Sequence, residues 1–178
     1  VPASLRNAMG SLKNAGNPWG GAREERINWV KDLAIPSVNG ETEILYFSCC
    51  TPAFDPKMGS VARATANILK KTGAKFGILG NKESCCGESV RKAGNYTLFD
   101  NLAASNSKAM HESGVREVVV TSPHCYATFK NEYPSLGGDF TVMHFTQYLA
   151  RLLNEGRLTF KNSFPKNVVY HDPCYLGR

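Results

Sequence analysis

From Ile44 onward, short apolar runs alternate with stretches in which apolar positions recur every three or four residues. Ile44 to Phe47 reads as a strand. Ser60 to Lys71 follows as a helix with Val61, Ala64, Ile68 and Leu69 at compatible spacing, and Gly73 stops it. Phe76 to Leu79 predicts a second strand, and Tyr96 to His111 a second helix ended by Gly114. Glu117 to Thr121 is the third strand, followed by a short helix over Tyr126 to Tyr133. Phe140 to Met143 then reads as a strand, Phe145 to Leu153 as a helix and Asn167 to Tyr170 as a last strand. This alternation predicts an α/β fold, a mostly parallel sheet covered by helices. Residues 1–40 lack sustained periodicity and carry the breaker run N-A-G-N-P-W-G-G at Asn14 to Gly21. They read as an N-terminal arm or linker with a short helix over Ala22 to Leu33, packed onto the domain through Trp19 and Trp29.

Set on that pattern, the cysteines fall in loops after the carboxyl ends of the strands. Cys49 and Cys50 follow the first strand, Cys85 and Cys86 the second, Cys125 the third and Cys174 the last. Ligands of parallel sheets bind beyond those ends, so residues far apart in the chain can meet on one edge. Structural cysteines would have appeared inside strands and on helix faces as often. Adjacent thiols such as Cys85 and Cys86 do not readily bond to each other, but both can face a common ligand.

Composition narrows the chemistry. A chain of 178 residues can bury a sizeable core without disulfide staples, and no charged start leads into an apolar signal core. The six cysteines therefore fit a reducing compartment with metal-bound or redox-active thiols. Soft thiolates select zinc, copper(I) or iron-sulfur clusters. The short knuckle of a zinc site and the compact C-x-x-C-x-x-C run of an ordinary cubane are both missing. Spacing favours an iron-sulfur site, with zinc, metal-free thiol exchange and incidental thiols as the alternatives.

The formal charge of +6, from 21 Lys and Arg against 15 Asp and Glu, does not redirect this reading. The basic residues are scattered over predicted helices, not collected with aromatics along a stripe, which argues against a nucleic-acid partner. No segment approaches the roughly 18 apolar residues of a membrane span. The expectation is a cytoplasmic chain, peripheral to a membrane only through a partner. A start at Val1 without Met points to a fragment or a processed product.

Four stretches carry a specific resemblance: E-I-L-Y-F-S-C-C-T-P-A-F-D-P, G-I-L-G-N-K-E-S-C-C-G-E, S-P-H-C-Y-A-T-F-K-N-E-Y-P and V-V-Y-H-D-P-C-Y-L-G-R. Together they resemble the cysteine-rich CCG domains of the heterodisulfide reductase family of iron-sulfur oxidoreductases, particularly its D-type subunit, over about Glu41 to Arg178. The resemblance implies a noncubane 4Fe-4S cluster held by a lone cysteine, Cys50, the pair Cys85 and Cys86, and a closing Cys125. Ser122 departs from it, standing where C-P-H-C relatives have another cysteine. Three readings stay open: a variant cluster with fewer thiolates, the missing sulfur supplied by Cys49, or a cluster of another type. Cys174 looks like the opening ligand of a second CCG domain. The implied organisation is an arm at 1–40, a CCG domain at 41–165 and the start of a second, truncated CCG domain at 166–178.

The implied activity is electron transfer to a disulfide or similar two-electron acceptor, with other electron-transfer subunits, some membrane-bound, as partners. Three alternatives stand beside it: an electron relay of a membrane-associated respiratory complex, a 2-hydroxy acid or glycerol-phosphate oxidation subunit, and a structural zinc module. His124 beside Cys125 is the candidate catalytic residue, able to donate to sulfur, relay a proton or bind metal, or merely to make a local hydrogen bond. His171 and Asp172 beside Cys174 carry the same ambiguity. Gly87 permits close backbone approach after the pair, and Lys82 and Arg91 are candidates for lowering thiol pKa values or attracting an anion. His111 and His144 read as packing or surface residues.

Overall fold

The computed structural model describes residues 2–177. Its centre is a four-stranded parallel sheet of order β2-β1-β3-β4, formed by β1 (Ile44–Phe47), β2 (Phe76–Gly77), β3 (Glu117–Val120) and β4 (Thr141–His144). The helices in chain order are α1 (Ala3–Ala15), α2 (Cys50–Phe54), α3 (Gly59–Lys71), α4 (Glu88–Lys92), α5 (Tyr96–Ser113), α6 (Pro123–Asn131), α7 (Phe145–Asn154) and α8 (Cys174–Gly177). The α/β architecture expected from the alternating pattern is present. Among the described residues, no helix is long and apolar enough to cross a membrane.

The strands are short and continuously apolar because the sheet is covered on both faces. Successive side chains point to opposite sides, which divides the core in two. Leu45, Phe47, Val118 and Val120 join one cluster with α5, α6 and the thiols. Ile44, Tyr46 and Val119 join the other, with Ala62, Ala66 and Leu69 of α3 and Tyr148 and Leu152 of α7.

Several boundaries differ from expectation. The second strand pairs with β1 only through Phe76 and Gly77, because Ile78 instead bridges outward to Ser37. Val38 donates to the Ile78 carbonyl at 3.1 Å, and Ile78 donates to that of Pro36 at 3.1 Å. Gly77 permits this approach, since a Cβ there would lie 2.9 Å from the Val38 nitrogen. The edge of the sheet is thus covered by the end of the N-terminal segment. The helix expected over Tyr126 to Tyr133 begins earlier, at Pro123, because Ser122 caps it and proline suits its first position.

The stretch Asn167 to Tyr170, expected to be a strand, is not one. Val168, Val169 and Tyr170 are exposed, with no sheet beside them, and strand propensity without pairing or burial does not make a strand. The N-terminal segment is more ordered than its sequence implied. It contains α1, ended by Gly16 in the left-handed conformation, and a 3₁₀ helix over Arg23–Val30. Trp29 is buried edge-on to Tyr46, while the half-exposed Trp19 stacks on Phe54.

Candidate metal centre

The connections of this sheet reverse direction between β1 and β3: the chain goes from β1 to β2 on one side and from β3 to β4 on the other. The crevice beyond the carboxyl ends of those two strands is where such sheets place a ligand. Here the crevice is lined by sulfur.

β1 runs into Ser48 and then Cys49, whose φ of 68° lies in the left-handed region that side chains other than glycine seldom adopt. That turn places both Cys49 and Cys50 at the crevice, with Cys50 opening α2. After β2, a single 3₁₀ turn over Gly80–Lys82 leads into the buried run Glu83 to Gly87, and Gly87 at φ 86° turns the chain into α4. After β3, Ser122 caps α6 by accepting from the Cys125 amide at 3.4 Å, which brings Cys125 into the first turn of that helix.

Five of the six cysteines, Cys49, Cys50, Cys85, Cys86 and Cys125, are buried together with free thiols. They form an unbroken series of neighbours. Cys50 interacts with Cys85, Cys85 with Cys86, Cys86 with Cys125 at a sulfur separation of 3.4 Å, and Cys125 with Cys49. The series lines a cavity of about 260 Å³ whose remaining wall includes Trp19, Thr51, Glu88, Ser122 and His124. One water needs roughly 10–15 Å³ on that measure, so a polyatomic group has room there.

The thiols are poorly disposed to ionise by themselves. The hydrogen bond with Cys85, then burial, pushes Cys50 well above the ordinary thiol range. Contacts with Cys125 and with Cys49 do the same for Cys86 and Cys125 respectively, reinforced by burial. At Cys85 the bond with Cys50 pulls the other way, but Cys86 and burial overcome it and push the thiol up to about 12. Burial raises Cys49. So much sulfur packed away from water is matched by a multivalent cationic centre, which deprotonates thiols outright. The donor set, all soft sulfur, fits iron-sulfur chemistry. Among the described residues, no three Cys, His, Asp or Glu side chains are set to hold a single metal ion.

Apart from Gly87, the polar shell around the sulfurs comes from residues that the sequence pattern did not single out. Glu83 accepts from the Ser48 amide at 3.1 Å, the Ser48 hydroxyl at 3.1 Å and Arg26 Nη1 at 2.8 Å. Arg26 also donates to Cys50 Sγ at 3.3 Å. Burial works against the Arg26 charge, but Cys50 and then Glu83 outweigh it and hold its pKa above the ordinary value. On the other side, Asn106 accepts from the Ser84 amide at 2.9 Å and donates to the carbonyls of Ser84 at 3.2 Å and Cys85 at 3.0 Å. Tyr133 donates to the Cys86 carbonyl at 3.1 Å. The Gly87 amide donates to Cys85 Sγ at 3.4 Å. Asn106 was visible in principle, as an amide on the apolar side of a helix between Leu102 and Met110. Arg26 and Glu83 carried no such signal.

Other candidates separate from the cavity. Exposed Cys174 opens α8 and does not line it. Its neighbour Tyr175 packs on His124, with ring centroids 4.4 Å apart, and donates to Glu88 at 3.0 Å. His124 stands at the mouth with Nδ1 3.4 Å from Glu88. Arg91 pairs with Glu132 at 2.7 Å, and neither it nor exposed Lys82 lines the cavity. His171 is exposed. His111 lies 3.5 Å from Asp139, and His144 caps α7.

Comparison with known proteins places this geometry. The cysteine-rich domain family CCG matches residues 44–130. An EtfAB:quinone oxidoreductase of Syntrophomonas wolfei is 35% identical over the whole chain, which spans 26% of that protein. A probable iron-sulfur-binding oxidoreductase of Bacillus subtilis is 37% identical, again over the whole chain and 26% of its own length. The D-type subunit of the dihydromethanophenazine:CoB--CoM heterodisulfide reductase of Methanosarcina mazei is 34% identical over 91% of this chain and 40% of its own. The chain therefore spans between about a quarter and two fifths of these relatives. No solved structure matches it significantly. The thiol-lined crevice and these matches together show that residues 44–130 form a CCG cysteine-rich domain and that the chain is similar to iron-sulfur oxidoreductases, the D-type subunit of heterodisulfide reductase among its relatives.

Proposed function

We propose that the cavity holds a noncubane 4Fe-4S cluster and that the domain is an electron-transfer element of a larger oxidoreductase, delivering electrons to a disulfide or comparable two-electron acceptor. The observation that carries this reading is the unbroken series of five buried thiols spread over three strand ends. Cys50, Cys85, Cys86 and Cys125 are the ligands, and Cys49 supplies the sulfur that Ser122 lacks. Ser122 is occupied in capping α6, while Cys49 adjoins Cys125. Four-coordinate zinc would leave one thiol over, and its ligands usually come in short knuckles.

When bound, such a cluster takes up and releases electrons singly, at a potential set by its charge, its hydrogen bonds and its exposure. Reduction of a disulfide to two thiols consumes two electrons and two protons. The chain's own residues shape the place where that happens. Asn106 and Tyr133 hold the backbone of the cysteine pair, so that both sulfurs face inward. Trp19 and Pro18 wall the cavity on the side of the N-terminal segment. His124, at the mouth and contacting Glu88 and Tyr175, is the side chain placed to meet a substrate. Residues 166–178 open a second CCG unit in this reading, with Cys174 outside the present cavity as its first ligand.

A second reading is an electron relay without a disulfide substrate. It is favoured by relatives matched along the whole chain, among them a probable membrane-anchored ferredoxin of Chromohalobacter salexigens, 30% identical and covered over 28% of its length. In that case the chain works beside a membrane through a partner.

Anaerobic purification with iron and acid-labile sulfide quantified tests the shared core of both readings. The expected outcome is roughly four of each per chain, lost in Cys85→Ser and Cys86→Ser and diminished in Cys49→Ser. Stoichiometric zinc without sulfide would overturn it, and full occupancy in either pair mutant would overturn the ligand assignment. Turnover of small disulfides by the reduced protein then separates the first reading from the second.

A further inference from the structure

Arg26 lies in the segment ahead of the sheet, outside every strand, yet its side chain is 2% exposed. Among the described residues it is the one Lys or Arg that is buried. A charge withdrawn from water is costly unless it is paired and hydrogen-bonded, and even a paired one seldom improves on an apolar replacement. Stability alone is a weak reason for it. Its fork is divided: Nη1 donates to Glu83 Oε1 at 2.8 Å, and Nη2 donates to Cys50 Sγ at 3.3 Å and, weakly, to the Gly16 carbonyl at 3.4 Å. Phe54 packs across it with 5.1 Å from Cζ to the ring centroid. Glu83 is in turn tied to Ser48, at the exit of β1, and sits two residues before Cys85. One buried ion pair thus connects the N-terminal segment, the first strand exit and the second, and presents its positive end to a sulfur.

We propose that Arg26, held by Glu83, is a positioning residue for Cys50 that sets the reduction potential of the thiol site. The proposal rests on the iron-sulfur reading above. A fixed positive charge and a hydrogen bond at a ligand sulfur both favour the state with one more electron, and net charge and sulfur hydrogen bonds are among the determinants of such potentials. Glu83 orients Arg26 through a hydrogen bond that a glutamine oxygen also accepts, and its own negative charge tempers the guanidinium, so that charge is what Glu83→Gln removes.

The test is a redox titration of the anaerobically purified full chain, reduced by dithionite and followed by its paramagnetic signal, with iron and sulfide counted in each sample. Arg26→Gln is expected to keep iron and sulfide and to change the ratio of oxidised to reduced site at fixed potential about tenfold toward oxidised. That is a fall of about 59 mV for one electron. Arg26→Lys, which keeps the charge, is expected to remain nearer the parent, and Glu83→Gln to move in the opposite direction, upward. Loosened packing alone would move Arg26→Gln and Glu83→Gln the same way. Shifts of the same sign, unchanged potentials, or equal shifts in Arg26→Gln and Arg26→Lys would overturn the proposal. Loss of iron and sulfide from Arg26→Lys would also overturn it, because shape and not charge would then be what Arg26 supplies. If Arg26→Gln alone loses its cluster, the sign of the Glu83→Gln shift decides. Parent protein without iron and sulfide would instead remove the functional reading beneath it.

Discussion

Cys49 and Ser122 show how single residues divide the work at the crevice. Ser122, where the resemblance implied a further cysteine, spends its oxygen on the Cys125 amide, a role that suits serine at the start of a helix. Cys49 holds a left-handed backbone that costs about 1–3 kcal/mol for a residue with a side chain, and such strain tends to collect at functional sites. Gly87 is the counterpart after the cysteine pair. At φ 86° a Cβ would be strained and would meet Phe99 Cδ2 at 2.7 Å. Gly87→Ala is therefore expected to destabilise the protein by about 2 kcal/mol, read by chemical denaturation. The need for a turn at Gly87 was visible in the sequence; the Phe99 ring that closes on it was not.

The elements converge because three strand exits of one parallel sheet open onto one edge, and this was legible from short apolar runs followed by cysteines. The helices behind them were legible as amphipathic stretches, but not for what they hold. Asn106, inside α5, makes its hydrogen bonds to the backbone of Ser84 and Cys85 and to the Tyr133 hydroxyl. Asn106→Leu would leave those buried groups without partners. It is expected to cost about 3 kcal/mol in denaturant unfolding and to lower iron occupancy, the pair being no longer held in place. The stretch Asn167 to Tyr170 makes the opposite point. Its Val-Val-Tyr run has strand composition, yet exposure leaves it irregular, because pairing and burial supply most of what makes a strand.

At the scale of the molecule, the N-terminal segment is part of the site and of the core. Leu12 joins the thiol-side core cluster, Trp29 the opposite one, and residues 36–38 cover the β2 edge. Trp29→Ala is expected to cost about 3 kcal/mol by thermal or chemical unfolding, since it empties a buried space against Tyr46. Low periodicity and the breaker run concealed this, because α1 buries only Leu12 and a 3₁₀ helix leaves no clear 3.6-residue stripe. By itself, then, the sequence determined the α/β class, the strand exits and the cysteines that occupy them, since these follow from local alternation and the polarity of a parallel sheet. Only the tertiary structure decided that Cys49 joins the sulfur series, that Cys174 stands apart from it, and that Arg26 and Glu83 meet Cys50. Those outcomes depend on one backbone turn, on a missing sheet partner and on a buried charge pair 57 residues apart in the chain. Such relations are created by folding and leave no periodic trace in the residues that enter them.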